Sequence, residues 1–564
     1  MNPAQDGGQA AEASAPLDLL LTQAALGPVK RFLPGVSGLR FLGAVARRPE
    51  RMATRLRTLG GELGRIAVGS SDVAPSSRDK RFADPAWTQN PVLRRVVQAY
   101  LAAGETVEGL VQDVPLEWRD AERVRFVASN LVEAAAPSNN PLLSPVGWKT
   151  AIDTGGANLV RGPRHLLSDL SSAPRTPSMV DCDAYEVGKD LAVTPGVVVL
   201  RTPVFELVQY RPQTPTVRTV PVLVVPPTIN KYYVLDLAPG RSLVEYLVQQ
   251  GQQVFVMSWR NPDERHSAWG FDTYTGAILE ALDAVEDVSG ADRTHLLAAC
   301  SGGILSSMTA AHLAATGAQD RLASLALLVT VIDQSRAGLT SAMIDEDTAA
   351  QAVAASQRRG YLDGRKLAEV FAWLRPGDLV WNYWVNNYIQ GKQPPKFDIL
   401  FWNADTTRMP ARLHHDFVDV AVHNRLVSPG GVTVLGTELD LQKVTVDSYV
   451  VAGSADHICP WQSCYRSGQL LGGEVRFVLS TNGHIAALVN PPSNPKSNFR
   501  VAADNSADAS EWAEVAETEK GSWWPDYAGW LGQRSGPDKP APEELGSGRF
   551  GVLEDAPGSY VLEK

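Results

Sequence analysis

The sequence predicts an α/β chain in which a parallel sheet is flanked by helices, preceded by a mostly helical region and interrupted late by an insertion. Two observations carry this. After about residue 190, short apolar runs bounded by turn residues alternate with segments of helical period, the pattern of a doubly wound sheet. Before that point the text keeps a helical period, as in "NPVLRRVVQAYLAAGETVEGLVQDV" (90–114), with polar breaks such as "APSNNP" (136–141). The expected organisation is a helical domain over 1–195, a catalytic α/β domain over 196–535, and a Gly/Pro-rich acidic tail over 536–564.

The first dozen residues are small and polar and read as disordered. Residues 30–65 interleave Leu and Val with nine basic residues (Lys30, Arg31, Arg40, Arg47, Arg48, Arg51, Arg55, Arg57 and Arg65) against only Glu50 and Glu62. That segment suits an apolar or anionic surface, or equally a solvated helix face.

In the α/β region "GVVVLRTPVFELVQY" (196–210) is β-rich, and "VPVLVVPP" (220–227) reads as a strand buried on both faces. There follow a helix at 242–250, a strand at 253–258, a helix near 273–287, the strand 294–299, a helix to about residue 315 and the strand 324–332. The alternation lapses from 335 to 430, rich in Trp, Tyr and Asn, where such a sheet carries a cap over its ligand-binding edge. It resumes at "DSYVVAG" (447–453) and "VRFVLS" (475–480).

Composition narrows the classes. A net charge of −10 argues against nucleic acid as the main partner. Four cysteines in 564 residues cannot make a disulfide framework and favour a reducing compartment. The N-terminus lacks a basic segment before an apolar stretch, and no window reaches the roughly 18 apolar residues of a membrane span, so a cytoplasmic protein is expected. No P-loop or G-x-G-x-x-G is present.

The chemistry centres on "AACSGG" (298–303), where a strand passes into a helix. A nucleophile elbow needs small residues two before and two after the reactive side chain, because backbone and helix approach closely there. With Cys300 as nucleophile the flanks are Ala298 and Gly302; with Ser301 they are Ala299 and Gly303, and spacing permits both. A helix N-terminus lowers a thiol pKa, and the Ser301 N–H supplies half of an oxyanion hole. The other half falls to the N–H of Ile229 or a close neighbour, on the loop opened by Pro226-Pro227.

In an α/β-hydrolase fold the chain order is nucleophile, acid, histidine. His484, on a Gly-containing loop after strand 475–480, stands where the base belongs. Asp456 follows strand 447–452 as the acid, with Asp333 as the fallback. His457 either orients Asp456 or bonds locally. Cys459 and Cys464 form a C-x4-C pair without a second pair, too little for a metal site.

Eight stretches in order, "DPAW" (84–87), "PPTINKYYVLDL", "SWRNPD" (258–263), "ACSGG", "GDLVWNY" (377–383), "FDILFWNADTTRMP", "DHICPWQSCYRS" (456–467) and "GHIAALVNPP", resemble the polyhydroxyalkanoate synthase family over roughly residues 80–500. The family pattern at the elbow is Gly-x-Cys-x-Gly-Gly, from which Ala298 departs. The resemblance implies an α/β-hydrolase fold with a cap, Cys300 as nucleophile, His484 as its base and Asp456 helping to activate a 3-hydroxyl. It implies (R)-3-hydroxyacyl-CoA as substrate, a growing polyester as product, no cofactor and no metal. It further implies a homodimer at the granule surface, joined through the N-terminal region. "ACSGGI" and "YWVNNY" are closer to the medium-chain-length, single-chain subfamily.

A thiol suits that substrate, since exchange from CoA sulfur to enzyme sulfur keeps the acyl group activated for the next hydroxyl. The rival readings are a thioesterase or polyester depolymerase of the same fold, which ordinarily carries serine at the elbow, and a non-catalytic granule-coat protein.

Overall fold

The computed structural model describes residues 35–564 apart from 78, 172–173, 336–345, 375 and 457. The leading residues, with Lys30 and Arg31, therefore lie outside the described residues. Two compact units are present. Among the described residues one holds 35–181 together with 365–396, and the other holds 182–364 together with 397–564.

In the helical unit the long helices are Gly35–Ala46, Pro49–Val68, Pro91–Gln112, Trp118–Ala134, Pro145–Asp153 and Asn158–Ser171. The helix Pro91–Gln112 starts where its sequence says it should: Asn90 accepts from the N–H of Val92 and Leu93, and Pro91 sits in the first turn. Phe82 and Trp87 meet edge to face at 5.5 Å beside Val97, forming a small core. The basic face of 30–65 is partly answered by acids of this unit. Arg55 pairs with Asp113 and Arg40 with Asp120, both at 2.8 Å.

The α/β unit is built on an eleven-stranded sheet. In chain order its strands are β1 (Gly196–Arg201), β2 (Phe205–Tyr210), β3 (Val222–Val225), β4 (Val254–Trp259), β5 (Thr294–Ala299) and β6 (Leu322–Leu328). There follow β7 (Ser448–Gly453), β8 (Val475–Ser480), β9 (Asn498–Val501), β10 (Glu517–Lys520) and β11 (Glu554–Asp555). The spatial order is β10-β9-β8-β7-β6-β5-β3-β4-β2-β1-β11. The six strands from β8 through β4 are parallel. Their neighbours β2, β1, β9, β10 and β11 pair antiparallel.

The parallel strands are the apolar runs of the sequence: β3, β4 and β5 are buried at every position, as strands covered on both faces must be. One expectation is corrected: the strand foreseen at 324–332 spans Leu322–Leu328. The parallel core of the sheet is extended by antiparallel strands at both edges.

The last thirty residues are not a loose tail. Asp538–Pro540 pairs with Thr216–Arg218, and β11 pairs with β1. The fully buried carboxylate of Glu206 accepts from the Ser559 N–H (3.0 Å), the Ser559 hydroxyl (2.8 Å) and the Tyr560 N–H (2.9 Å). A buried charge needs such partners, and the chain end supplies them.

The insertion expected as one cap over 335–430 divides. Its 365–396 portion belongs to the helical unit, with two π-helical turns at Gly377–Trp381 and Trp384–Ile389. There Asn158 donates to Ile389 O at 3.0 Å, and the Trp384 indole donates to Asn139 O at 3.0 Å. Gly162 is required at this packing, since a Cβ on it would stand 1.9 Å from Tyr388 O. The remainder stays in the α/β unit, where the helices Glu346–Arg359 and Ala411–His423 pack together.

Candidate active site

β5 ends at Ala299, and the helix Ser301–Ala315 begins immediately. Cys300, between them, has φ 52° and ψ −121°, a conformation a non-glycine side chain adopts only under constraint. The constraints are visible. Its N–H donates to Leu328 O of β6 at 2.9 Å, and its own carbonyl accepts from the N–H of Gly303 and Ile304. Gly302 lets the turn close, since a Cβ there would stand 2.3 Å from Pro226 O. Gly303 is equally confined by Thr330. Ala298, in place of the first glycine, sits fully buried within β5.

Ser301 separates from Cys300 in role. Its hydroxyl accepts the Thr228 N–H at 2.9 Å, tying the helix start to the loop after β3, while its own N–H donates to the Cys300 sulfur. Ile229 is the next residue on that loop and is buried. Among the described residues its N–H has no acceptor, and Asn230 beyond it turns with φ 63°.

Asp456 lies past the end of β7 and His484 past the end of β8, the two strands pairing in parallel register through Gly453 and Ser480. The His484 Nδ1 stands 2.7 Å from Asp456 Oδ2, both side chains buried. Asp456 Oδ1 accepts the N–H of Ile458 (2.8 Å) and of Cys459 (2.9 Å), so both carboxylate oxygens are held. The helix His484–Leu488 is pinned by two buried indoles: Trp523 donates to Ala487 O at 2.8 Å and Trp524 to Leu488 O at 3.1 Å. With Nδ1 committed to Asp456, Nε2 is left for the elbow.

The sulfurs of Cys300 and Cys459 and a ring nitrogen of His484 all lie within 4.8 Å of one another. The electrostatics follow from that cluster. The Cys300 thiol is lowered to about 5, first by the hydrogen bond with Cys459, against the cost of burial, and then by His484 and the Ser301 N–H. Burial opposes charge on His484, but Asp456 and the Cys300 sulfur outweigh it and raise the imidazole to about 10. The Cys459 thiol is pushed well above its ordinary range, first by its hydrogen bond to Cys300 and then by burial. At neutral pH this is a thiolate beside an imidazolium, with a neutral thiol as neighbour.

The sequence-derived residues thus divide. Cys300, His484 and Asp456 come together, with Ser301 and Ile229 at the elbow and its facing loop. Asp333, the fallback acid, belongs to another network, paired with Arg466 at 3.0 Å and bonded by Asn424 at 2.9 Å. His457 lies outside the described residues. Cys459, which in the sequence stands out only as half of a weak C-x4-C pair, lies three residues past Asp456 on the same turn. Cys464 is not beside it as a ligand; its thiol donates to Cys459 O at 3.7 Å.

An open-edged, largely parallel sheet with a cysteine at the strand-to-helix elbow after β5 and an Asp–His pair beyond the ends of β7 and β8 defines an α/β-hydrolase-fold protein with a thiol in the nucleophile position. Residues 221–491 match the family described as alpha/beta hydrolase fold, and residues 78–247 match the poly-beta-hydroxybutyrate polymerase (PhaC) N-terminus. Poly(3-hydroxyalkanoate) polymerase 2 of Ectopseudomonas oleovorans is 46% identical over 92% of both chains, and polymerase 1 of the same organism is 44% identical over 93% of both. The poly(3-hydroxyalkanoate) polymerase subunit PhaC of Cupriavidus necator is 36% identical, covering 94% of this chain and 91% of that one. The chain belongs to the poly(3-hydroxyalkanoate) polymerase family.

Proposed function

We propose that this chain polymerises (R)-3-hydroxyacyl groups from CoA thioesters through an acyl-Cys300 intermediate, releasing CoA. The observation that carries the reading is the run of contacts from the Cys300 elbow through His484 to Asp456.

The Cys300 thiolate attacks the thioester carbonyl, and the oxyanion falls to the N–H of Ser301 and Ile229. Collapse expels CoA sulfur, which takes the proton from His484, leaving acyl-Cys300 and a neutral imidazole. A 3-hydroxyl then gives its proton to His484 as its oxygen attacks the acyl carbon, and the Cys300 thiolate departs. The ester bond is made and the imidazolium–thiolate pair is restored. His484 is favoured over Asp456 as the base because both Asp456 oxygens already accept hydrogen bonds. No cofactor enters beyond the CoA thioester itself.

The resemblance also leads us to propose a homodimer at a polyester granule surface, formed through the helical unit. Exposed Val36, Leu39 and Leu42 on Gly35–Ala46, and Leu56 and Leu63 on Pro49–Val68, support an apolar contact there. Among the described residues no helix is long and apolar enough to cross a membrane. A medium-chain acyl preference is the reading closest to the motif wording.

The test is CoA release by purified protein across 3-hydroxyacyl-CoA of increasing length, with the product analysed by gas chromatography. Polymer with CoA supports the reading. Free hydroxy acid with CoA indicates a thioesterase, and no CoA release indicates a coat protein.

A further inference from the structure

Cys459 is a second buried thiol inside the candidate site, and the reaction above does not use it. We propose that Cys459 is a positioning residue for Cys300: its S–H donates to the Cys300 sulfur and holds it as a thiolate, oriented toward the approaching carbonyl. This inference rests on the Cys300 nucleophile reading.

Three observations support it. The two sulfurs and a His484 nitrogen share a cluster with no pair farther apart than 4.8 Å. Cys459 cannot easily swing away, because its N–H donates to Asp456 Oδ1 at 2.9 Å, its carbonyl accepts from the Cys464 thiol, and Pro460 follows as the cap of the helix Trp461–Gly468. The turn that presents Asp456 to His484 therefore presents Cys459 to Cys300. The charge pattern agrees: Cys300 faces His484 and Cys459, while Cys459 faces Asp456 and Cys464, whose surroundings disfavour a second thiolate. One sulfur carries the charge and the other keeps its proton. A hydrogen bond to the charged form is the contact that stabilises a thiolate in a buried site.

The role separates from simple packing by a titration. Cys300 alkylation by iodoacetamide, followed by peptide mass spectrometry from pH 4 to 10, reads the thiolate fraction of that one residue without any polymerisation. Cys459→Val fills the space without a donor, and its Cys300 midpoint rises by about one to two pH units, the size of one hydrogen bond to a charged group. Cys459→Ser keeps a donor and stays within about half a unit of the unsubstituted protein. Cys459→Ala removes the donor independently, should the Val variant fail to fold by circular dichroism. Midpoints unchanged in the folded Val or Ala variant overturn the proposal, as does a Ser variant shifted as far as the Val variant. The acid limb of CoA release should move with the alkylation midpoint. If the unsubstituted protein releases no CoA, the polymerase reading fails while the alkylation result still decides the role of Cys459.

Discussion

Asp456 holds His484 at 2.7 Å through Nδ1 and is itself held by two backbone N–H groups of its own turn. The imidazole is therefore fixed in one orientation, with its other nitrogen given to the elbow. Substitution at each point should be graded by this geometry. Cys300→Ala should abolish CoA release. His484→Ala and Asp456→Asn should each lower kcat by roughly 10²–10⁴-fold, the range for loss of a general base or of its orienting partner. Steady-state CoA release with a thiol reagent checks this, and a Cys300→Ala variant of undiminished activity would remove the nucleophile assignment.

The pair also sets a pH window. Cys300 is lowered to about 5, chiefly through Cys459, so the thiolate's contribution to stability is complete above the ordinary thiol range and is lost as pH falls through about 5. His484 is raised to about 10 by Asp456 and Cys300 in spite of burial, so its contribution is complete below the ordinary imidazole range and is lost as pH rises through about 10. The ion pair should persist between these limits. Ultraviolet thiolate absorbance, compared between the protein and Cys300→Ala, should show its midpoint near 5; a midpoint at the free-thiol value of about 8.5 would contradict the cluster.

The elbow makes opposite demands on its two flanks. Gly302→Ala forces a Cβ to 2.3 Å from Pro226 O, so the turn must shift, at about 1–3 kcal/mol, with loss of activity. Ala298→Gly removes one methyl group within β5, keeps activity, and costs no more than about 1 kcal/mol. Chemical denaturation with parallel CoA-release assays distinguishes the two.

Removal of residues 554–564 should be severe for a segment so rich in turn residues. It takes away β11 and three of the groups bonded to the buried Glu206 carboxylate, leaving Arg201 as its salt-bridge partner. Each hydrogen bond lost from a buried charged group costs about 1.5–3 kcal/mol. Thermal melting of the truncated protein should show a drop of many degrees or insoluble expression, and Glu206→Gln in the truncated chain should recover part of it.

Much of the architecture is legible in the sequence. The largely apolar runs at 222–225, 254–259 and 294–299 are strands because burial on both faces favours apolar side chains at nearly every position, a local signal. Gly302 and Gly303 after a strand mark an elbow because only a missing Cβ fits there. Chain order alone then placed Asp456 and His484. The antiparallel β9, β10 and β11 were not legible, since short, partly exposed edge strands carry little hydrophobic pattern. Nor was the division of the insertion, where Asn158 and Gly162 receive residues more than two hundred positions away.

The chemistry divides along the same line. Residue order and turn composition determined which groups stand at strand ends, and so the thiol, the imidazole and the carboxylate. Only the tertiary structure decided how they are tuned: Thr228 turning the Ser301 hydroxyl aside, Trp523 and Trp524 bracing the His484 helix, and Cys459 beside Cys300. Those contacts depend on where the loops after β3, β5, β7 and β8 converge. That convergence is a property of the assembled sheet, not of any segment read by itself.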